Sequence, residues 1–189
     1  MQRTPVASKS IISAGYDADS RTLEIEYWST AVVQFSGVPA ETYQAFLSAP
    51  SKSQYSHACI WGHFPRRRIW RNLDELLVEI SEVLVLEEQR PITVHTSGFE
   101  GDTPLHTAAI WGDVTAIEML VAVGAEVDAR NNLKTTPLYE AVGQGHVEAA
   151  RKLLEFGASP HIRNDLDFTP AERAARSDDP EMRELFAIR

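Results

Sequence analysis

The feature that most constrains this chain is an internal repeat of 33 residues in its second half. When the sequence is shifted by 33 positions, residues 103–105 (Thr-Pro-Leu) fall on the same tripeptide at 136–138. A second shift carries the Thr-Pro pair onto residues 169–170. Matches at a fixed period indicate a stack of structural units, because one such unit cannot bury its apolar face alone. The further identities at this offset are Ala108/Ala141, Gly112/Gly145, Val114/Val147, Ala116/Ala149, Leu120/Leu153, Gly124-Ala125/Gly157-Ala158 and Arg130-Asn131/Arg163-Asn164.

Each repeated unit has the composition of two short helices joined by a glycine turn. Thr followed by Pro predicts a helix start, since a threonine oxygen caps the helix and proline needs no N–H in the first turn. The glycines predict helix ends, where a left-handed residue is favoured. Apolar residues at helical spacing indicate the buried face of each second helix. The predicted helices are Pro104 to Trp111, Val114 to Val123, Pro137 to Gln144 and Val147 to Phe156.

Residues 101–109 (GDTPLHTAA) are similar to the signature of the ankyrin repeat, and residues 124–129 (GAEVDA) resemble the segment that closes one. The resemblance covers about residues 95–189 and implies an all-α solenoid with complete repeats at 101–133 and 134–166. The third unit, 167–189, keeps the Thr-Pro cap and loses the Leu-His pair. We therefore expect a capping repeat with a polar outer face. Its last helix, Asp179 to Ile188, is predicted to turn Met182, Leu185 and Phe186 inward.

A helix in front of the first repeat is predicted to cover the open end of the stack. Residues 72–86 place six apolar side chains on one helical face, and Asn72 followed by Glu75 resembles a capping box. After Pro91, residues 92–94 are predicted to form a short extended lead-in. This capping helix and lead-in occupy residues 72–100 of a predicted stack that spans 67–189. The inward side chains are predicted to be Leu73, Leu76, Leu77, Ile80, Val83 and Leu84.

Residues 1–66 have a different pattern and predict a small α+β domain. Residues 23–27 alternate apolar and polar side chains, which is typical of a half-buried strand. We expect further strands at 11–16 and 31–35 and a turn at 17–20. The whole chain is therefore predicted to be α+β, with an N-terminal α+β domain followed by an all-α solenoid. A helix is also expected at residues 39–47, with Tyr43, Phe46 and Leu47 on its inner face.

The N-terminal part resembles the KTSC domain family through residues 12, 15–17, 23–25, 35–39, 43, 47–49 and 51, within about residues 5–64. RNA binding has been suggested for that family, and the resemblance implies it as an alternative function. The family's central Tyr-x-Tyr is Val33-Gln34-Phe35 here, so both phenol hydroxyls are missing. Three consecutive arginines at 66–68, with aromatic residues nearby, are compatible with a phosphate contact and equally with pairing to the acidic helix that follows.

Charge is divided unevenly between the two halves. Residues 1–70 hold seven Lys/Arg against five Asp/Glu, and residues 71–189 hold eleven against twenty-two. An acidic field of this size repels nucleic-acid phosphates and attracts a basic partner, although acidity also serves solubility alone. The single cysteine, and the lack of a long apolar run at the N-terminus or elsewhere, favour a cytoplasmic protein with no membrane partner.

The sequence contains no evident catalytic, metal or cofactor motif. His57, Cys59 and His63 come nearest to a metal cluster, but a structural zinc site needs a fourth ligand. His106 occupies the Thr-Pro-Leu-His position, where the ankyrin resemblance implies an imidazole that bonds backbone and the next repeat, and His146 is interpreted likewise. Because phosphate loops and nucleophile turns are also missing from the sequence, we expect a protein that is not an enzyme and takes no cofactor.

The predicted partner-binding residues follow from the ankyrin resemblance, in which partners meet the inter-repeat loops and the outward positions of the first helices. Trp111 is the strongest candidate, because large aromatic side chains often dominate binding energy, although packing on the neighbouring repeat is the alternative. Tyr139 replaces the histidine of the motif and is expected to face outward. The full set is Phe99, Glu100, Asp102, Thr107, Ile110, Trp111, Asp113, Arg130, Asn132, Lys134, Tyr139, Glu140, Gln144, Arg163, Asp165 and Asp167.

These observations predict a non-catalytic protein-binding module. The KTSC resemblance suggests a bacterial source, and the acidic second half suits a basic partner. Our main hypothesis is an immunity protein that neutralises a basic toxin or effector domain, monomeric when free and forming a one-to-one complex. A general scaffold or regulatory adaptor is the first alternative, and RNA binding through the N-terminal domain is the second.

Overall fold

The computed structural model describes residues 1–8, 10–27, 32–70, 72–84 and 92–187. The chain divides into two compact units, Met1–Arg71 and Asn72–Arg189. The sequence placed the end of the first domain at residue 66, and the observed division comes later because residues 66–69 form a strand of the first unit's sheet. None of the helices in the described ranges combines the length and apolar character needed to cross a bilayer.

The first unit is built on a five-stranded antiparallel sheet with the strand order β1-β2-β3-β4-β5. The three predicted strands are confirmed, although residue 31 lies outside the described residues. The two edge strands were not predicted, because neither Thr-Pro nor Arg-Arg-Arg-Ile shows an apolar–polar alternation. The strands are β1 Thr4–Pro5, β2 Ile11–Asp17, β3 Thr22–Tyr27, β4 Val32–Phe35 and β5 Arg66–Ile69.

One helix supplies the main cover of this sheet. Helix α1, Ala40–Ser48, buries Phe46 completely, and Tyr43 and Leu47 pack against the same core, as the sequence predicts. A short helix α2, Lys52–Tyr55, continues into a π-helical turn, Ser56–Ile60, before the chain enters β5. The remaining buried core residues are Ile11, Ala14, Leu23, Ile25, Val33, Phe35, Val38 and Ile60.

The second unit is a stack of helix pairs. The first helices of successive repeats, α4, α6 and α8, pack against one another, and the second helices α5 and α7 do the same. The four predicted repeat helices are confirmed to within one residue at each end. The helices are α3 Leu73–Val83, α4 Pro104–Trp111, α5 Val114–Ala122, α6 Pro137–Gly143, α7 Val147–Glu155, α8 Pro170–Ala174 and α9 Pro180–Ala187.

Repeated caps explain why the helices begin and end at the same places in each unit. The hydroxyl of Thr136 accepts from the Tyr139 N–H at 3.3 Å, and that of Thr169 accepts from the Glu172 N–H at 3.1 Å. Gly112 ends α4 with a left-handed φ of 68°. A Cβ atom at position 112 would also lie 2.6 Å from the His146 ring, so both backbone conformation and space require glycine there.

Helix α3 covers one end of the stack, as predicted, but its buried face is turned relative to the prediction. Asn72 caps the helix by accepting from the Glu75 N–H at 2.8 Å. Val83 was predicted to face inward and is instead 52% exposed, whereas Ser81 is buried. Both lie at the edges of the apolar stripe, so a small rotation against α4 and α5 exchanges them. The predicted helix end at residues 85–86 lies outside the described residues.

The lead-in to the first repeat is a turn, and the prediction of an extended segment was wrong. The Thr96 N–H donates to the Thr93 carbonyl at 3.1 Å, and the Thr93 N–H donates to Thr96 Oγ1 at 2.9 Å. Threonine hydroxyls compete with extended structure in this way because they offer the backbone a local partner. Ile92 and Val94 are nevertheless buried, so the turn still contributes to the core.

The last unit has the expected capping character. Met182 of α9 is fully buried, and Leu185 and Phe186 are half-buried. Helix α8 has only five residues, Pro170–Ala174, and its capping box joins Thr169 to Glu172. Residue 188, at the predicted end of the last helix, lies outside the described residues.

Candidate protein-interaction surface

His106 links the first repeat to the second from a fully buried position. Its Nδ1 accepts from the Thr103 N–H at 3.2 Å, and its Nε2 lies 3.1 Å from the Thr135 carbonyl oxygen. A neutral imidazole protonated on Nε2 satisfies both partners. Burial lowers the pKa of His106, against a smaller opposite effect of the Thr135 carbonyl. The structural role implied by the ankyrin resemblance is therefore confirmed.

An asparagine shapes each of the two complete inter-repeat loops. Asn131 Oδ1 accepts from the Leu133 N–H at 3.0 Å and from the Thr135 N–H at 2.9 Å. Asn164, 33 residues later, accepts in the same way from Leu166 and Phe168, both at 3.0 Å. An asparagine side chain that bonds its own loop replaces missing backbone partners. The identity of these two residues in the sequence repeat therefore fixes the loop conformation.

Hydrogen bonds between neighbouring loops join them into a row. The Asn132 N–H donates to the Glu100 carbonyl at 3.0 Å, and the Asn132 side chain donates to the Phe99 carbonyl at 3.1 Å. The Asp165 N–H donates to the Leu133 carbonyl at 3.0 Å in the same direction. The three loops are therefore ordered relative to one another before any partner arrives.

Three large apolar side chains project from this row into solvent. Phe99 is 93% exposed, Leu133 is 66% exposed and Leu166 is 75% exposed, one on each loop. We call these three residues the apolar tip row. Phe99 belongs to the predicted site, but Leu133 and Leu166 were missed. Their signal was available, because leucine recurs after 33 residues within an otherwise polar loop, where neither turn nor core requires it.

The charged loop residues of the predicted site are bonded to each other. Lys134 forms an ion pair with Asp165 of the next loop. Arg130 donates to the Arg163 carbonyl at 3.0 Å, and Arg163 pairs with Asp167 and with Glu172. The remaining loop acid, Asp102, accepts from Asn131 at 2.8 Å. These side chains therefore brace the loops as well as lining the surface.

Two helix positions of the predicted site are buried, and their assignment to the outer surface is corrected. Thr107 is only 2% exposed, because it lies on the face of α4 that packs into the stack. Asp113 is 9% exposed and caps α5 by accepting from the Ala116 N–H at 3.0 Å. Ile110 and Trp111, at the end of α4, are half-buried. His146 fills the space beside them, with its Nε2 3.0 Å from the Ile110 carbonyl oxygen.

Tyr139 is covered by an arginine from the last repeat. The Arg173 guanidinium carbon lies 4.3 Å from the centre of the Tyr139 ring. Gly143 leaves room for this contact, since a Cβ atom there would come within 2.1 Å of the guanidinium. Tyr139 is therefore half-buried, and its outward face is occupied by Arg173. The neighbouring predicted residues Glu140 and Gln144 are half-buried and exposed, respectively.

In the first unit, the three consecutive arginines do not share one face. Arg66 lies over the Trp61 ring at 4.5 Å from its centre, and Arg68 lies over Trp70 at 5.6 Å. Arg67 points to the opposite face of β5, where its Nε donates to the Gln34 side chain at 2.8 Å. A strand separates neighbouring side chains in this way, so three arginines in sequence give two small basic surfaces.

The residues considered for a metal site make other contacts. His57 stacks on Trp61 with ring centres 5.7 Å apart, and His63 Nε2 lies 3.1 Å from the Ala58 carbonyl oxygen. Cys59 is an exposed free thiol. Across the ranges that the structure describes, three or more His, Cys, Asp or Glu side chains are nowhere grouped to hold a metal ion.

Comparison with known proteins identifies both halves of the chain. The KTSC domain family matches residues 7–64, and ankyrin repeats in three copies match residues 75–164. An uncharacterised protein from Stutzerimonas stutzeri (strain A1501) is 38% identical over 55 residues, which are 29% of this chain and 78% of that protein. The crystal structure of a KTSC domain protein from Yersinia pestis aligns at 43% identity, covering 36% of this chain and 97% of that one, with a TM-score of 0.36. The chain therefore belongs to the KTSC domain family through its first half and carries ankyrin repeats in its second.

Proposed function

We propose that this chain is a bacterial immunity protein, which binds and neutralises a basic toxin or effector domain through its ankyrin stack. Ankyrin repeats are protein-interaction modules, and that general role is supported by the match to residues 75–164. The finer role rests on the surface described above. The observation that carries it is the row of three loops, tied together by backbone hydrogen bonds and presenting large apolar side chains to solvent.

Preorganisation makes such a surface suitable for tight binding. Loops that are already ordered lose little conformational entropy on association, so more of the contact energy appears as affinity. The loops here are held by Asn131 and Asn164 from within and by Asn132 and Asp165 between neighbours. An immunity protein needs high affinity of this kind, because a small leak of free toxin damages the cell.

Charge favours a basic partner. Residues 71–189 hold eleven Lys/Arg against twenty-two Asp/Glu, so the stack carries most of the acidity of the chain. Complementary charge accelerates association and discriminates against wrong partners. The relatives from Stutzerimonas stutzeri and Yersinia pestis support a bacterial source, which is where a toxin and its immunity protein would be encoded side by side.

The test uses the product of the gene adjacent to the one that encodes this chain. We expect the adjacent product to inhibit growth when expressed alone, and co-expression of the full chain to restore growth. The two proteins should then co-purify in a one-to-one complex, measured by size-exclusion chromatography with light scattering. As a matched control, the double variant Ile110→Asp with Trp111→Asp keeps the net charge acidic and should restore growth less well, because it alters the outward end of α4.

The outcome also separates the alternatives. An adjacent product that binds but does not inhibit growth would support a scaffold or regulatory adaptor in place of an immunity protein. Neither rescue nor co-purification would contradict the proposed function.

A further inference from the structure

The apolar tip row points to a partner of particular shape. Resting on the proposed protein-binding function, we infer that Phe99, Leu133 and Leu166 bind one face of a cationic amphipathic helix whose apolar residues recur every seven positions. These three residues are the most exposed large apolar side chains of the described chain, and they lie on three consecutive loops. A row of exposed apolar side chains rimmed by charge is typical of an interaction site.

The spacing of the row follows from the spacing of the repeats. Helix α4 packs on α6, and α6 packs on α8. Packed helices lie about 8–10 Å apart, so successive loops are displaced by about that distance along the stack. The inter-loop hydrogen bonds at Asn132 and Asp165 keep this displacement regular.

A helix matches this spacing on a single face. An α-helix rises about 1.5 Å per residue, so seven residues advance about 10 Å in almost two complete turns and return to the same face. A strand advances about 10 Å in three residues, but the first and fourth side chains point to opposite faces. Only the helical partner therefore presents one apolar residue to each of the three tips.

Charge selects a cationic partner over a second copy of this chain. The net charge of the protein is −9, so two copies repel each other, and the stack holds nearly all of that charge. Around the tips, the basic side chains are already engaged, since Lys134 pairs with Asp165 and Arg163 pairs with Asp167. The cations that neutralise the remaining acidity must therefore come from the partner.

The test measures binding of a designed probe to the full chain. The probe is a fluorescein-labelled peptide of about three heptads, with leucine at every seventh position and lysine and alanine elsewhere to favour helix. A second peptide has the same composition with leucines about five positions apart, which distributes them around the helix. A third replaces lysine with glutamate. Fluorescence anisotropy gives the dissociation constant for each peptide.

Matched variants locate the binding site on the protein. The triple variant Phe99→Ser, Leu133→Ser and Leu166→Ser removes the apolar tip row, and it should fold normally because all three side chains are exposed. The control Val123→Ser removes an exposed apolar side chain at the end of α5, away from the loops. Circular dichroism checks that both variants retain the wild-type helix content.

We expect the heptad peptide to bind the wild-type chain and the Val123→Ser variant equally, and to bind the triple variant at least about tenfold more weakly, because burial of three apolar side chains is lost. The other two peptides should bind weakly to all three proteins. Equal binding of both lysine peptides, no binding to the wild type, or full binding to the triple variant would each overturn the inference. A wild-type dimer that dissociates in the triple variant, seen by sedimentation, would assign the row to self-association and overturn it too. If the triple variant still captures the adjacent gene product, the proposed function stands without this inference.

Discussion

At the scale of single residues, His106 is the side chain whose neutral state matters most to the stack. It joins Thr103 of its own repeat to the Thr135 carbonyl of the next, and its Nδ1 must stay unprotonated to accept the Thr103 N–H. The corresponding residues in the later repeats are Tyr139 and Glu172, and Glu172 accepts the equivalent N–H, from Thr169, at 3.0 Å. One backbone requirement is therefore met by different chemistry in different repeats.

The pH dependence of stability should reveal His106. Burial lowers the folded-state pKa of His106, so the unfolded chain binds more protons once the pH falls through about 6.5, the ordinary histidine value. We expect the free energy of unfolding to decrease between about pH 7.5 and 5.5, and to decrease less in the His106→Gln variant. Urea denaturation at both pH values measures it, with exposed His161→Gln as the control. An unchanged pH dependence in His106→Gln would contradict this assignment.

A second residue-scale prediction concerns Lys134, which has a left-handed φ of 56°. The equivalent position in the first loop is Gly101, with φ of 80°. A non-glycine residue in this conformation costs about 1–2 kcal/mol, whereas the exposed ion pair to Asp165 contributes about 0–1 kcal/mol. We therefore expect Lys134→Gly to raise the free energy of unfolding by about 0.5 kcal/mol, after its own loss of unfolded-state restriction. Lys134→Ala, which removes only the ion pair, should be less stable than Lys134→Gly in the same urea titration.

At the scale of elements, α3 is the part of the stack that seals the first complete repeat. It packs on both α4 and α5, and its buried residues would otherwise leave an apolar end open to water. Terminal repeats of a solenoid have contacts on one side only, so their stability depends on this single interface. The helix is therefore the element in which a core substitution should be felt across the unit.

Truncating α3 should destabilise the stack. Ile80 is fully buried, and Ile80→Ala is expected to lower the free energy of unfolding by about 2–4 kcal/mol through lost burial and a residual cavity. Val78 is 53% exposed on the same helix, so Val78→Ala should change stability by less than about 0.5 kcal/mol. Chemical denaturation followed by circular dichroism compares them. Equal effects of the two substitutions would show that α3 does not seal the stack.

At the scale of the whole molecule, the distribution of charge decides the class of partner. The acidic second half disfavours nucleic acid, and the arginines at 66–68 are divided between the two faces of β5. Two small basic surfaces release few counterions from a phosphate backbone, so affinity for RNA should be low and salt-sensitive.

We therefore expect no saturable binding of a single-stranded oligouridine of about 20 nucleotides at about 150 mM salt. Replacing Arg66, Arg67 and Arg68 by glutamine should leave fluorescence anisotropy of the labelled RNA unchanged. Tight wild-type binding that is lost in this variant would restore the RNA-binding alternative.

The sequence by itself determined the parts of this protein that depend on local pattern. The 33-residue period, the Thr-Pro starts and the glycine ends located α4 to α7 within one residue, because capping and helical periodicity act over a few neighbouring positions. The same reasoning found β2, β3, β4 and α1 in the first unit. It also placed Phe99 on the loop surface.

Only the tertiary structure decided which side chains are covered by distant parts of the chain. Thr107 and Asp113 are buried, Ser81 replaces Val83 on the inner face of α3, and β5 becomes a strand through pairing with β4. Burial and strand pairing depend on neighbours supplied from elsewhere in the sequence, so no local pattern carries them. For the same reason the apolar tip row emerged only when the loops were seen side by side, with Leu133 and Leu166 left in solvent.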